Sequence, residues 1–363
     1  MTGPTNPGPT DSGPTDSGPA TTGYAVVIPT LVRTTLADCL AALVAANGPR
    51  PDEIVLVDDR PEHDRRALDA TPGAGPDALE HPLGVLGDLR ERTIVLRGGG
   101  RGPAAARNTG LGAVTTEWAV FLDDDVQVGP HWCEQLRQDL DGAGPDTGGI
   151  PGVIAVPLPG ERRPTDWERG TAGLATARWI TADMAYRTET LKQVGGFDER
   201  FTRAFREDAD LALRVLDAGW RIRQGRRTTR HPVRSASRWV SLRQQRGNAD
   251  DALMRRLHGP TWWAKAMAPR GRVRRHAAIT AAGAAALALA AAGRPRAAAL
   301  AGLGWAAGTA EFAWARIAPG PRTRHEVTTM AVTSVLIPPA ATWHRLSGEW
   351  RHRSAPAWQE VVA

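Results

Sequence analysis

Trp118-Ala-Val-Phe-Leu-Asp-Asp-Asp125 is an apolar strand that stops abruptly on three carboxylates. Adjacent negative charges at a strand end are costly unless a cation sits among them. Side chains alternate along extended backbone, so Asp123 and Asp125 share one side of the chain and Asp124 takes the other. An Asp-x-Asp pair of hard oxygen ligands suits Mg²⁺ or Mn²⁺ already carrying a phosphate. The plain alternative is a solvated acidic turn, the ordinary fate of an acidic cluster.

The order of elements before it favours the metal. Tyr24-Ala-Val-Val-Ile-Pro29 reads as a buried strand, and residues 34–46, with Leu36, Leu40 and Leu43 at helical spacing, as an amphipathic helix. Glu53-Ile-Val-Leu-Val-Asp-Asp59 is a second strand, and it too ends on paired carboxylates. Residues 93–96 make a third, and residues 103–114 a helix with proline at its start. Strands alternating with helices predict an α/β fold, a mostly parallel Rossmann-like sheet flanked by helices. Such sheets bind ligands at the carboxyl ends of their strands, where both acidic clusters fall.

Six segments in series resemble the motifs of the family 2 glycosyltransferases. They are Ala-Val-Val-Ile-Pro-Thr30, Ile-Val-Leu-Val-Asp-Asp59, Ala-Ala-Arg-Asn-Thr-Gly110, Phe-Leu-Asp-Asp-Asp125, Val-Gly-Gly-Phe-Asp-Glu199 and Arg-Glu-Asp-Ala-Asp-Leu211. The resemblance covers about residues 24–231 and implies the GT-A fold. The chain departs from the family pattern at Arg60-Pro61, where Gly-Ser is usual. A stretch rich in Pro, Gly and Asp over residues 71–88 reads as an insertion beside it.

Transfer from a nucleotide diphosphate sugar leaves negative charge on the departing diphosphate, so such a site needs preorganised positive charge. The resemblance implies that Pro29, Asp58 or Asp59, Arg107 and Asp123 contact the donor nucleotide, with Asp123 and Asp125 on the metal. Arg107 has a second reading, as the neutraliser of the two acidic clusters. An acceptor hydroxyl is a weak acid, so an inverting transferase needs a carboxylate to take its proton. The resemblance implies Asp208 for that base, with Glu207 the second candidate. Asp210 sits in the first turn of an apolar-faced helix and reads as capping or support. A late histidine is a metal ligand in many metal-dependent members of this fold, which suggests His231; a lone surface histidine is the alternative. On the acceptor side, the aromatic face of Trp179 suits a sugar ring and Asp183 suits its hydroxyls, although core packing explains Trp179 equally well.

Two rival functions fit parts of the chain. Gly100-Arg-Gly-Pro-Ala-Ala105 satisfies the dinucleotide fingerprint of an NAD(P)-dependent oxidoreductase, but it follows the third strand instead of the first. A noncatalytic sugar-nucleotide binding module would keep the fold and need no base, against which stand Asp125 and Asp208.

The remaining 363-residue chain divides by composition. Residues 1–22 repeat Thr-Asp-Ser-Gly-Pro and are too polar to order themselves, so a disordered tail is expected there. Residues 23–245 hold the transferase motifs, 246–350 a helical, membrane-associated region, and 351–363 a second tail. Two cysteines, Cys39 and Cys133, give neither a disulfide framework nor a zinc site. The net charge is +6, with arginines crowded over residues 221–275 ahead of apolar runs at 276–293, 297–317 and 327–343. Basic residues flanking apolar segments predict association with the cytoplasmic face of a membrane. Alanine is only weakly apolar, and Glu311, Arg316 and Pro338-Pro339 interrupt the runs, so a helical hairpin packed on a cytoplasmic protein is the alternative. No nucleic-acid motif accompanies the basic patch. The expected partners are a nucleotide diphosphate sugar and a glycan or lipid-linked acceptor.

Overall fold

The computed structural model of the chain describes residues 22–62 and 76–358. The expected N-terminal tail, apart from Thr22, and residues 71–75 of the expected insertion lie outside the described residues, as do residues 359–363 of the second tail.

The strands are β1 (Tyr24–Thr30), β2 (Glu53–Asp58), β3 (Thr93–Arg97), β4 (Trp118–Leu122), β5 (Gln127–Val128), β6 (Thr147–Pro151), β7 (Val153–Ala155), β8 (Asp183–Arg187), β9 (Arg221–Ile222) and β10 (Thr228–Arg230). The longer helices are α1 (Thr35–Ala45), α2 (Pro103–Leu111), α3 (Trp132–Asp141), α4 (Asp166–Ala172), α5 (Glu207–Asp217), α6 (Gly247–His258), α7 (Val273–Ala291), α8 (Pro295–Ile317) and α9 (Arg324–Arg351). Seven strands form one sheet in the order β3-β2-β1-β4-β8-β6-β9. Its first four are parallel neighbours, while β8 runs antiparallel to both β4 and β6. A small sheet, β5-β10-β7, stands beside it.

Period-two alternation divides the core between the two faces of the sheet. Val26, Ile28, Ile54, Leu56, Val120 and Leu122 pack with Leu36, Leu40 and Leu43 of α1 and with α3. The intervening residues, among them Val27, Val55, Val57 and Phe121, pack with α2 and with Leu211 and Val215 of α5. Strands buried on both faces must be apolar throughout, which explains why β1, β2 and β4 lack a polar stripe. Gly110 lets α2 lie flat on this face, since a β-carbon there would run into Val27. Within the expected insertion, a helical turn at Glu80–Gly84 places Leu83 in the core beside Leu86.

The C-terminal third is helical. The opposite face of α5 offers Ala212 and Leu213 to Leu253, Met254 and Leu257 of α6. Helix α9 runs back across α6, with Gly348 pressed against Ala249. Among the described residues no helix is long and apolar enough to cross a membrane. The apolar runs are helices, but alanine dilutes their hydropathy and buried polar groups such as Thr333 and Ser334 face inward.

Candidate active site

The carboxyl ends of β1, β2 and β4 open into a cleft of about 1580 Å³, walled on the far side by α4, residues 202–205, Glu207, Asp208 and His231. Alternation past β4 works as expected. Asp124 turns back to β1, accepting from Thr30 Oγ1 at 2.7 Å and pairing with Arg33 at 2.8 Å. Asp123 and Asp125 turn the other way, and with His231 they bring ligand atoms within 4.8 Å of one another.

The small sheet delivers His231. Its β5 begins two residues after Asp125, β10 pairs with both β5 and β7, and the His231 N–H donates to Ala155 O at 2.8 Å. His231 Nε2 thereby lies 3.8 Å from Asp125 Oδ1. Burial, then the charge of Asp123, pushes the Asp125 carboxyl above its usual range, and Arg234 opposes this from 2.9 Å. Two crowded carboxylates and an imidazole fit Mg²⁺ or Mn²⁺ by donor chemistry, with Mn²⁺ the better match to nitrogen.

Arg107 joins this trio to the second acidic centre. Arg107 is 1 % exposed, and its guanidinium donates to Asp123 at 2.7 Å and to Glu207 at 2.9 Å. The next residue, Asn108, clamps the Phe197 backbone from both sides, accepting its N–H at 2.8 Å and donating to its carbonyl at 2.9 Å. One turn of α2 therefore fixes both Asp123 and the Gly195-Gly196-Phe197 loop approaching α5. Replacing Arg107 with Ala leaves Glu207 and Asp123 facing each other without a cation. The expected cost is about 3–5 kcal/mol, the scale for breaking a buried pair, and would be read from urea unfolding midpoints.

At the start of α5, Arg206 adopts a left-handed conformation, φ 79°, while its Nε reaches Asp251 at 2.8 Å. The turn sets Glu207 inward against Arg107 and leaves Asp208 half-buried on the cleft wall. Burial raises the Asp208 carboxyl above its usual range, with the N–H of Ala209 and the charge of Arg107 acting against it. Glu207 is raised as well, by burial and then by Asp208. Asp210 is not in the cleft. It is fully buried, with Arg214 at 2.7 Å and His258 Nε2 at 2.7 Å, and it ties α5 to α6.

Other expectations need correction. Asp183 was expected at the acceptor, yet it is 0 % exposed and spends its oxygens on Trp132 Nε1, Arg227 Nε and Thr229 Oγ1 at 2.6–2.7 Å. It begins a strand buried on both sides, so its carboxylate stabilises the core. Trp179 is 6 % exposed and packs with Phe201, Leu253 and Trp262. The core reading of that aromatic is the one observed.

Where β1 and β2 end, Pro29 and Asp59 line the cleft. Both members of the first acidic pair have internal partners. Arg60 holds Asp58 through Nε at 2.9 Å and Nη2 at 2.8 Å, so the departure from Gly-Ser places a guanidinium on that carboxylate. Asp59 accepts the backbone N–H groups of Gly100, Arg101 and Gly102 at 2.9–3.1 Å. The loop resembling a dinucleotide fingerprint thus binds a carboxylate of its own chain. Gly102, at φ 101°, also abuts the Thr202 carbonyl, where any β-carbon would clash. Arg33 and Arg234 were not singled out in the sequence, and Arg60 only as a departure from the family pattern. Nothing in an arginine-rich segment distinguishes Arg234 until the fold lays it against Asp125.

The model of the family described as "Glycosyl transferase family 2" matches residues 25–210. The chain belongs to that family. Over 136 residues it is 34% identical to the Pre-mycofactocin glycosyltransferase of Mycobacterium tuberculosis (strain ATCC 25618 / H37Rv), a stretch covering 34% of this chain and 28% of that protein. Over 170 residues it is 29% identical to the Succinoglycan biosynthesis protein ExoO of Rhizobium meliloti (strain 1021), covering 45% of this chain and 44% of the relative. The chain thus spans less than half the length of these curated relatives. Among solved structures, the mannosyltransferase PcManGT from Pyrobaculum calidifontis, in complex with GDP-Man and Mn²⁺, superimposes with a TM-score of 0.52 over 89% of this chain and 86% of its own, at 21% identity. That likeness supports the GT-A fold. The family 2 glycosyltransferase assignment displaces the oxidoreductase reading.

Proposed function

We propose that this glycosyltransferase moves a sugar from a nucleotide diphosphate donor to an acceptor hydroxyl with inversion. The observation that carries the reading is the Arg107 bridge, which couples the Asp-x-Asp end of β4 to the acidic start of α5 inside one cleft. Asp208 accepts the proton of the acceptor hydroxyl as its oxygen bonds to the anomeric carbon. The bond from that carbon to the diphosphate breaks on the opposite side, and the nucleoside diphosphate departs. A divalent ion held by Asp123, Asp125 and His231 would neutralise the charge developing on the diphosphate. Arg107 holds Asp123 in place while keeping Glu207 out of the acceptor's way. Pro29 and Asp59 flank the donor nucleotide, and Arg60 is the group that distinguishes this nucleotide end from others of the family.

The mycobacterial and rhizobial relatives act, by name, in mycofactocin and succinoglycan formation. The proposed acceptor is a glycan or lipid-linked molecule, with residues 23–245 as the transferase unit and 246–350 as a helical appendage. The test is a donor hydrolysis and binding screen across UDP-, GDP-, ADP- and dTDP-sugars, with Mn²⁺ and with chelator. Turnover of a sugar nucleotide only with the divalent ion is expected. Full activity in chelator would remove the metal from the account, and binding of NAD in place of every sugar nucleotide would overturn it.

A further inference from the structure

We propose that the outer face of α9, together with the tip of the α7–α8 hairpin, docks on the surface of an anionic lipid bilayer. The inference does not rest on the proposed reaction. Along α9 the residues Val332, Leu336, Trp343, Leu346 and Trp350 are all exposed, Trp343 at 68 % and Trp350 at 70 %. Their spacing of three, four and seven residues places them on one side of the helix. The opposite side, with Met330, Ile337, Ala341 and Gly348, is buried against the protein. An amphipathic helix normally has its apolar side inward, whereas α9 is apolar on both.

The hairpin repeats the pattern. Leu287 on α7 and Leu300 and Leu303 on α8 are 67–76 % exposed, beside the turn that carries Arg294 and Arg296. No carboxylate occurs between residues 276 and 310. Across residues 266–358 twelve arginines, of which Arg316 is buried against Asp166, stand against three glutamates.

That charge selects the occupant. A second copy of the chain would bring a positive rim against a positive rim, while anionic headgroups complement it. Tryptophan and leucine beside arginine suit an interfacial position, with apolar rings below the headgroups and guanidinium groups level with them. Lying on the bilayer requires no spanning helix, in keeping with the helices present. Docking would also orient the cleft, because Asp166 at the start of α4 pairs with Arg316 of α8 at 2.8 Å and its N–H donates to Glu326 of α9 at 2.7 Å. Helix α4 contributes Trp167, Gly170 and Thr171 to the cleft wall.

The test is flotation of the full chain with phosphatidylcholine vesicles, with and without phosphatidylglycerol, alongside analytical ultracentrifugation. Wild type is expected to float with the anionic vesicles. The triple variant Trp343→Ser, Leu346→Ser, Trp350→Ser should lose at least about 10-fold in partitioning, with an unchanged melting curve because these side chains are exposed. Arg294→Gln with Arg296→Gln should weaken binding to the anionic vesicles selectively. A wild type that stays unbound to anionic vesicles overturns the proposal. So does a triple variant that floats like wild type, or a solution dimer that the triple variant dissolves, since a second copy would then cover the face.

Discussion

Asp208→Asn is expected to bind the donor as wild type does and to transfer sugar at least about 10²-fold more slowly, the scale of a lost general base. The substitution keeps the shape of the side chain and its place beside the Ala209 N–H, so the start of α5 should not move. What it removes is the ability to take a proton. Glu207 cannot substitute, because one of its oxygens is held by Arg107 and the side chain is 2 % exposed. Calorimetric donor binding beside a transfer assay separates the two effects, and near-wild-type transfer would remove Asp208 from the role. The pH dependence has a definite sign. A base works deprotonated, and burial raises the Asp208 carboxyl, so wild-type activity should fall on acidification at a higher pH than an ordinary aspartate would give. The acid limb should vanish from the residual rate of the Asn variant.

Asp125→Ala should cost more, about 10³-fold or beyond, because several kcal/mol of charge stabilisation at the leaving group would go with the ligand. The fold should survive. Asp125 is 7 % exposed, but its ion-pair partner Arg234 is 41 % exposed and can turn to water once released. Asp124→Ala should show the opposite pattern. That carboxylate pins Thr30 and Arg33 at the end of β1, so its loss should lower stability while Mn²⁺ affinity persists. Mn²⁺ titration calorimetry on both variants, with turnover and thermal unfolding, distinguishes ligand from strut. Wild-type Mn²⁺ affinity in Asp125→Ala would contradict the assignment.

The first half of the sheet was legible in the sequence because its strands are buried on both faces. An unbroken run such as Ile54-Val55-Leu56-Val57 admits few other readings, and the alternation of Asp123, Asp124 and Asp125 follows from strand geometry alone. The core roles of the two residues expected at the acceptor were not legible. Asp183 begins β8, whose antiparallel insertion between β4 and β6 breaks the parallel order, so its burial depends on partners 44 to 51 residues away. Trp179 has the composition of a sugar platform and the surroundings of a core residue, and only packing tells these apart. Two arginines beside the cleft carboxylates share the difficulty. Arg60 and Arg234 become meaningful once Asp58 and Asp125 are seen to hold them. In the tail the apolar runs were plain, but which side of α9 faces the protein depends on α6.

The most direct test of the central claim is proton NMR of the sugar released when the enzyme slowly hydrolyses its donor, recorded before mutarotation sets in. A single displacement, with the water activated by Asp208 on the face opposite the diphosphate, predicts that the first anomer formed is the one opposite to the donor's. Initial release of the donor's own anomer would contradict the account.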